Sequence, residues 1–139
     1  MIFPAKKLFI VIENEIRKWI NLILEIENDQ IKYFGKVSKE DQKWLEQKGR
    51  KSYSGGELQP IIINNQMVGG IHWDLGGIDF IEFKPAFQGT GVLRKVVMDN
   101  IADGAVKFVS ASPDLTKKLE NYGDVTYDPN TDITSVIIH

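Results

Sequence analysis

Cysteine is absent from this chain, and histidine occurs only twice among its 139 residues. Without cysteine the protein has no disulfide framework, no thiolate zinc site and no cysteine nucleophile. Two histidines and scattered carboxylates show no metal-ligand spacing, so we expect no metal site. The lack of cysteine also fits a reducing, cytoplasmic setting.

Strong charge of one sign and long apolar runs are missing as well. The formal net charge of −2 is too close to neutral to indicate a nucleic-acid partner. Charged side chains interrupt the most apolar N-terminal stretch, residues 8–26, whereas a membrane span needs about 20 mostly apolar residues. That stretch also lacks the small-residue cleavage site of a signal peptide. We therefore expect no membrane partner and no targeting segment.

The residues that are present predict one globular domain over positions 1–139, with 42% hydrophobic and 26% charged residues. Two helices come first, followed by a three-stranded antiparallel meander, a helix, a strand, a helix and a terminal hairpin. A strand–helix–strand step joins parallel neighbours, so the sheet should be mixed. The predicted bounds are helices ending at 28 and spanning 38–49, strands 60–63, 67–75 and 78–84, helix 92–105, strand 107–111, helix 112–122 and hairpin strands 125–127 and 133–138.

Several local features carry their own expectations. Residues 8–12 could form a strand or the first turns of the first helix, and residues 1–4 could form a short edge strand. Trp19 lies on the apolar stripe of the first helix, so we expect it in the core, and we expect the same of Trp73. The terminal strand 133–138 is expected at an exposed sheet edge, where a second copy could pair to form a homodimer.

A glycine-rich turn, Gln88-Gly89-Thr90-Gly91-Val92, separates the third meander strand from the next helix. Glycine lets the backbone turn tightly and approach a ligand closely. The amides of residues 89–92 would be unpaired N–H groups at the positive end of the helix dipole, which predicts a phosphate site. A Gly-x-Gly turn before a helix can also serve only to relieve backbone strain. The neighbouring elements must therefore distinguish a phosphate site from a strain-relieving turn.

The order of elements and this turn together resemble the GNAT (GCN5-related N-acetyltransferase) superfamily over nearly the whole chain. The family's coenzyme A loop has the pattern Gln/Arg-x-x-Gly-x-Gly/Ala; Gln88 takes its first place, Gly91 its central glycine, and Leu93 replaces its last small residue. The resemblance implies an α/β (α+β) fold with a mixed, mostly antiparallel sheet of six to seven strands flanked by about four helices. It implies an N-acetyltransferase that moves an acetyl group from acetyl-coenzyme A, as co-substrate, to an amine of a small molecule or protein by direct attack.

The resemblance also implies where the cofactor binds. Strands 78–84 and 107–111 would splay apart and admit the pantetheine arm, with the Phe83 amide on the thioester carbonyl. Ser112 takes the place of an Asn that touches the cofactor in many members, although it is also a plain helix cap. The implied cofactor-binding residues are Phe83, Gln88, Gly89, Thr90, Gly91, Val92 and Ser112.

Three residues are candidates for the proton transfers. Glu82 lies on the strand where several family members place a carboxylate base, and His72 carries an imidazole, which exchanges its proton near neutral pH. Strand alternation puts Phe80, Glu82 and Lys84 on one face and Asp79, Ile81 and Phe83 on the other. Tyr122 is the candidate acid for the leaving thiolate, because Leu119 stands where many members have that tyrosine.

Two other interpretations stay open. A catalytically degenerate GNAT-like domain would bind acyl-coenzyme A or a protein partner without turnover, and Leu93 and Leu119 favour it. A small anion-binding α/β protein unrelated to the family is the third interpretation. Trp44, on the mostly polar second helix, would border an acceptor pocket if the first interpretation holds.

Overall fold

The computed structural model describes residues 5–28, 30–49 and 58–138, and within the first helix it describes side chains from Glu13 to Leu24. The strand predicted at residues 1–4 lies outside the described residues. Among the described residues, four α-helices and six strands follow the predicted order, and a seventh, two-residue strand lies between the first two helices. They are α1 (Ala5–Asn28), β1 (Ile31–Lys32), α2 (Lys39–Gly49), β2 (Gln59–Ile63), β3 (Gln66–Asp74), β4 (Gly77–Phe83), α3 (Val92–Asp99), β5 (Ala105–Val109), α4 (Pro113–Leu119), β6 (Asp124–Asp128) and β7 (Ile133–Ile137).

The strands form one mixed sheet in the order β1-β2-β3-β4-β5-β7-β6. Every neighbouring pair is antiparallel except β4 and β5, which are parallel. The prediction of an α+β fold with a mixed, mostly antiparallel sheet and about four helices is therefore confirmed. The parallel step falls between the meander and the terminal hairpin because α3 carries the chain back across the sheet.

Residues of β3 enter two apolar clusters on opposite faces of the sheet. Val68 and Ile71 join the larger cluster, which packs the sheet against α3 and Leu22 of α1. Met67 joins the smaller cluster, together with Leu45 of α2. Each fully buried aliphatic side chain of this kind stabilises the fold by about 1.5–3 kcal/mol. The sheet thus has α3 over one face and α2 over the other.

The helix caps read from the sequence are formed. The Asp41 amide donates to Ser38 Oγ at 3.1 Å at the start of α2, and the Leu115 amide donates to Ser112 Oγ at 3.1 Å at the start of α4. Each bond satisfies one of the orphan N–H groups of a helix N-terminus. Residues 8–12 belong to α1, so the helical alternative for that segment holds.

The pattern predicts a helix reaching Ala105, but α3 ends at Asp99. The side-chain amide of Asn100 donates to the Val96 carbonyl at 2.7 Å, which closes the last turn. Gly104, at φ +80°, then turns the chain into β5. A side chain that bonds its own backbone competes with continued helix, and the apolar spacing beyond it does not reveal this.

The expectation that both Trp19 and Trp73 lie in the core is met only in part. Trp19 is 54% exposed, so the stripe on α1 is wider than the surface that the sheet covers. Trp73 is half-buried; its indole N–H donates to Asn100 Oδ1 at 3.0 Å, and its ring meets Tyr33 edge-on at 5.0 Å between centroids. The Trp73 indole therefore has a polar partner, as buried indoles usually do.

The sheet edges differ from the prediction. The edge strands are β1, which the sequence did not suggest, and β6, whereas β7 is paired on both sides by β5 and β6. The expectation of an exposed terminal strand at 133–138 is wrong, because the hairpin folds with its second strand inward. None of the helices in the described ranges is long and apolar enough to cross a bilayer.

Candidate functional site

The sheet opens between its two parallel strands. Ile78 and Phe108 are the one pair of register partners between β4 and β5 among the described residues. From Asp79 onward β4 runs without a strand on that side, and a cavity of about 210 Å³ occupies the opening. Its walls are Ile78, Asp79, Phe80, Ile81, Phe108, Val109, Ser110, Ala111, Ser112 and Leu115. The predicted divergence of these two strands is present.

Phe83 lies on the open edge of β4. The Lys84 amide donates to the Val68 carbonyl of β3 at 2.8 Å, and Phe83 is the Cα partner of Gly69 in the same ladder. Backbone N–H and C=O groups of neighbouring residues point to opposite sides of a strand, so the Phe83 amide points away from β3. That amide is therefore aimed at the edge where an extended ligand could add as a further strand.

The glycine-rich turn continues from β4 through a short 3-10 turn, Pro85–Phe87, into α3. Gly89 and Gly91 have φ of +76° and +85°, and a Cβ on either would meet no atom within 4 Å. The backbone hydrogen bonds of this turn among the described residues use Phe87, Gln88 and Lys95 as donors, and none uses the amides of 89–92. The turn therefore has N–H groups without a backbone partner among the described residues, beside open space at the start of α3.

The other residues of the turn hold its shape. Thr90 is 2% exposed, and its hydroxyl donates to the Phe87 carbonyl. Val92 is buried in the larger apolar cluster, so only its backbone amide is available to a ligand at the turn. Gln88 is exposed, and Ser112 lines the cavity between the strands while capping α4.

The two departures from the family pattern have different consequences. Leu93 is half-buried and packs against the larger cluster, so its side chain turns toward the core. Leu119 is fully buried.

Tyr122 packs partly against the same cluster. Burial raises the pKa of its phenol, while the Arg94 charge in the first turn of α3 opposes that rise. The Tyr122 phenol therefore keeps its proton at neutral pH.

His72 and Asp79 meet across the β3–β4 ladder. Their Nδ1 and Oδ1 atoms lie 2.7 Å apart, and the side chains are 24% and 2% exposed. Trp73 partners Ile78 and His72 partners Phe80, so Asp79 is an extra residue in β4, a β-bulge. The prediction that strict alternation puts Asp79 opposite to Phe80 is wrong, because the bulge turns its carboxylate toward His72.

The other alternation predicted for β4 holds on the α2 side. Glu82 forms an ion pair with Lys48 of α2 at 2.9 Å, and Lys84 forms one with Asp41. Trp44 lies between them, with the two lysine nitrogens 5.8 and 5.9 Å from its ring centroid. The Glu82 carboxylate is thus engaged by a neighbouring lysine, and Trp44 is half-buried beside it.

Ser110 marks the end of β5 at the cavity wall with an uncommon φ of +54°. Its amide donates to the Asp132 carbonyl at 2.9 Å and its hydroxyl to the Asp132 carboxylate. Tyr127 donates to the same carboxylate at 2.8 Å, and these hydrogen bonds hold the pKa of Asp132 below its usual range. These hydrogen bonds connect the β6–β7 turn to the end of β5.

Of the predicted cofactor-binding residues, Ser112 lines the cavity between β4 and β5. Phe83 and the turn at 89–92 follow farther along the chain and are not among its lining residues, and His72 lies at the bulge beside Asp79. Sequence reasoning missed Asp79 and Ser110; the one available signal was an aspartate inside a strand, where that residue type is uncommon. A scan against protein-family models, a search of curated proteins and a search of solved structures each found no match for this chain.

Proposed function

We propose that this protein is an acyl-coenzyme A-dependent N-acyltransferase that uses acetyl-coenzyme A as co-substrate and acetylates an amine. The observation that supports the proposal most is the combination of parted parallel strands with unpaired amides in the turn that follows β4. An extended arm bearing amides fits a free strand edge, and a pyrophosphate fits the N-terminus of a helix. GNAT-like architecture, suggested by the sequence, is part of the same proposal.

In this proposal the open edge of β4, the turn that follows it and Tyr122 have separate roles. The pantetheine arm pairs with the open edge of β4, and the pyrophosphate rests on the amides of 89–92. The Phe83 amide polarises the thioester carbonyl and stabilises the oxyanion that forms as the amine attacks. Tyr122, whose phenol stays protonated, is the group available to protonate the departing thiolate.

Leu93 does not oppose the proposal, because its side chain packs against the core cluster instead of crowding the turn. Leu119, in contrast, weakens the case for turnover. Its complete burial removes the family's usual acid position from the site, which favours the second candidate, a degenerate domain that binds acyl-coenzyme A or a protein partner without turnover. Turnover measured on a panel of amines distinguishes the two candidates.

The acceptor and the setting belong to the proposal as well. The acceptor is a small-molecule or protein amine, the protein acts without nucleic acid or membrane, and a cytoplasmic location fits a chain without cysteine. A homodimer, if one forms through a sheet edge, would use β1 or β6, since β7 is paired on both sides.

The first experiment is thermal unfolding with and without acetyl-coenzyme A, with adenosine diphosphate as the control ligand. A ligand at 100 times its Kd adds about 2.7 kcal/mol to the free energy of unfolding, which raises the Tm of a chain of this length by several degrees. We expect a clear rise with acetyl-coenzyme A and little with the control. No rise at millimolar acetyl-coenzyme A would refute cofactor binding and with it the acyltransferase, and it would leave the domain that binds a protein partner.

A further inference from the structure

The first helix, α1, carries an apolar face that the described residues of the chain leave uncovered. Every described residue from 13 to 21 is exposed, and Leu22 is the described side chain of α1 that packs against the larger apolar cluster. Four large apolar side chains on one side of the helix are 46% to 54% exposed: Ile16, Trp19, Ile20 and Leu24. An amphipathic helix gains most of its stability by packing its apolar face, so this face is a candidate interaction surface.

The apolar positions of α1 follow a seven-residue repeat with alternating spacings of three and four. The residues at the a and d positions of this repeat are Phe9, Ile12, Ile16, Trp19, Ile23 and Ile26. This is the spacing with which two helices pack side by side in a coiled coil. The helix has 24 residues and is therefore about 36 Å long. The repeat and the exposure together indicate that the partner is another helix.

The charges at the two ends of α1 indicate which helix packs there. Lys6 and Lys7 lie in its first turn, and Glu25 and Glu27 lie in its last turn. Each end thus carries the sign of charge that the helix dipole disfavours, because acidic groups stabilise an N-terminus and basic groups a C-terminus. A second α1 in the opposite direction brings an acidic end to each basic end, whereas a parallel one brings like charges together.

We propose that α1 packs antiparallel against α1 of a second copy of this chain and that the protein is a homodimer built on this helix pair. One register matches every a position with a d position of the other helix. It places Ile16 against the partner's Trp19. Lys6 and the partner's Glu27 both occupy e positions in this register, where salt bridges between paired helices form.

The basic residues at the middle of α1 are compatible with this pairing. Arg17 and Lys18 lie at the centre of the register, but at the outward b and c positions. Each already has an acidic partner on its own helix: Arg17 contacts Glu13 at 2.6 Å and Lys18 contacts Glu15 at 3.5 Å. The like charges of the two copies are therefore offset within each helix where the helices cross their symmetry axis.

The first test is the mass of the protein in solution, measured by light scattering over a concentration series. Ile16→Glu places a charge on the apolar face, and the control Asn21→Glu places the same charge on the opposite, exposed side of α1. We expect dimers of the unaltered chain and of Asn21→Glu. Ile16→Glu should dimerise at least about 100-fold more weakly, since an apolar contact is lost on both helices.

Two results of this measurement would overturn the inference. A monomeric unaltered chain would mean that a different protein covers the face. Equal dimerisation of Ile16→Glu and Asn21→Glu would mean that the two copies meet elsewhere.

The second test is the direction of the helices, read from disulfide formation. The chain has no cysteine, so Ile12→Cys and Ile23→Cys each introduce a single thiol. In the antiparallel register residue 12 faces the partner's residue 23, while the two copies of residue 23 lie about 16 Å apart along the axis. A disulfide requires Cα atoms within about 7 Å. We expect a linked dimer from the mixed variants and none from Ile23→Cys alone; self-linked Ile23→Cys would show a parallel pair and overturn the inference.

Both tests are independent of the proposed acyl transfer. Stabilisation by acetyl-coenzyme A in a monomeric chain would keep the proposed function and remove only the helix pairing, and a dimer without that stabilisation would do the reverse. If Ile16→Glu does not fold, as circular dichroism would reveal, the mass of the unaltered chain and the disulfide pattern decide.

Discussion

Substituting Gly91 by alanine tests the glycine-rich turn directly, because the chain supplies a matched control. Gly91 has φ +85° and Gly104, in the turn before β5, has φ +80°. Both are exposed, and a Cβ at either would meet no atom within 4 Å. Gly91→Ala and Gly104→Ala therefore impose the same left-handed backbone on an L side chain, but only one adds a methyl group to the proposed phosphate cradle.

The magnitudes follow from that geometry. A left-handed conformation costs an L residue roughly 1–2 kcal/mol, and about 3–4 °C of Tm corresponds to each kcal/mol for a chain of this length. Both variants should therefore lose about 3–8 °C. If the new methyl group displaces the pyrophosphate from one charge-assisted hydrogen bond, binding loses about 1.5–3 kcal/mol, or about 10- to 100-fold in Kd.

The assay is isothermal titration of each variant with acetyl-coenzyme A, after thermal unfolding has established the two stabilities. We expect Gly91→Ala to bind about 10- to 100-fold more weakly and Gly104→Ala to bind as the unaltered chain does. Equal affinity in all three proteins would refute the reasoning, because the turn would then not contact the ligand. Equal weakening in both variants would show that lost stability, and not the cradle, is responsible.

Two further predictions concern residues around the site. Leu93→Ala should lower the free energy of unfolding by about 1–2 kcal/mol, since half of a buried leucine's usual contribution is lost, and titration should show unchanged acetyl-coenzyme A affinity; a tenfold gain would mean that Leu93 crowds the turn after all. Asp132 has a lowered pKa in the fold, so its stabilisation is present above its unfolded pKa of about 4 and is lost as pH falls through the folded value. Urea unfolding should thus show Asp132→Asn less stable than the unaltered chain at pH 6, with the difference shrinking toward pH 2; a difference that does not depend on pH would contradict this.

Local patterns predicted those parts of the fold that local chemistry decides. The meander strands, the Ser112 cap and the glycine-rich turn lie close to their predicted positions, because apolar periodicity, capping residues and glycine act within a few residues. The end of α3 was missed because Asn100 closes the helix with its own side chain. Trp19 was misplaced because spacing reports which residues share a helix face but not how much of that face the sheet covers.

The candidate site was predictable only where it depends on backbone. The turn at 89–92 follows from residue types, and the parting of the parallel strands was expected from the resemblance to the GNAT superfamily. The side-chain partners do not, because they depend on contacts between distant segments. Glu82 pairs with Lys48 on α2, and Asp132 bonds Ser110 just after β5, across separations that no periodic pattern encodes.

Two features of the site lie at the bulge that Asp79 forms in β4. An extra residue bends a strand and increases its local twist, and β4 loses its partner β5 directly after Ile78, where the bulge begins. The same extra residue reverses the side-chain alternation, so a carboxylate that would otherwise face away reaches His72. We therefore expect a deletion of Asp79 to restore the regular β3–β4 ladder and to leave His72 without this carboxylate.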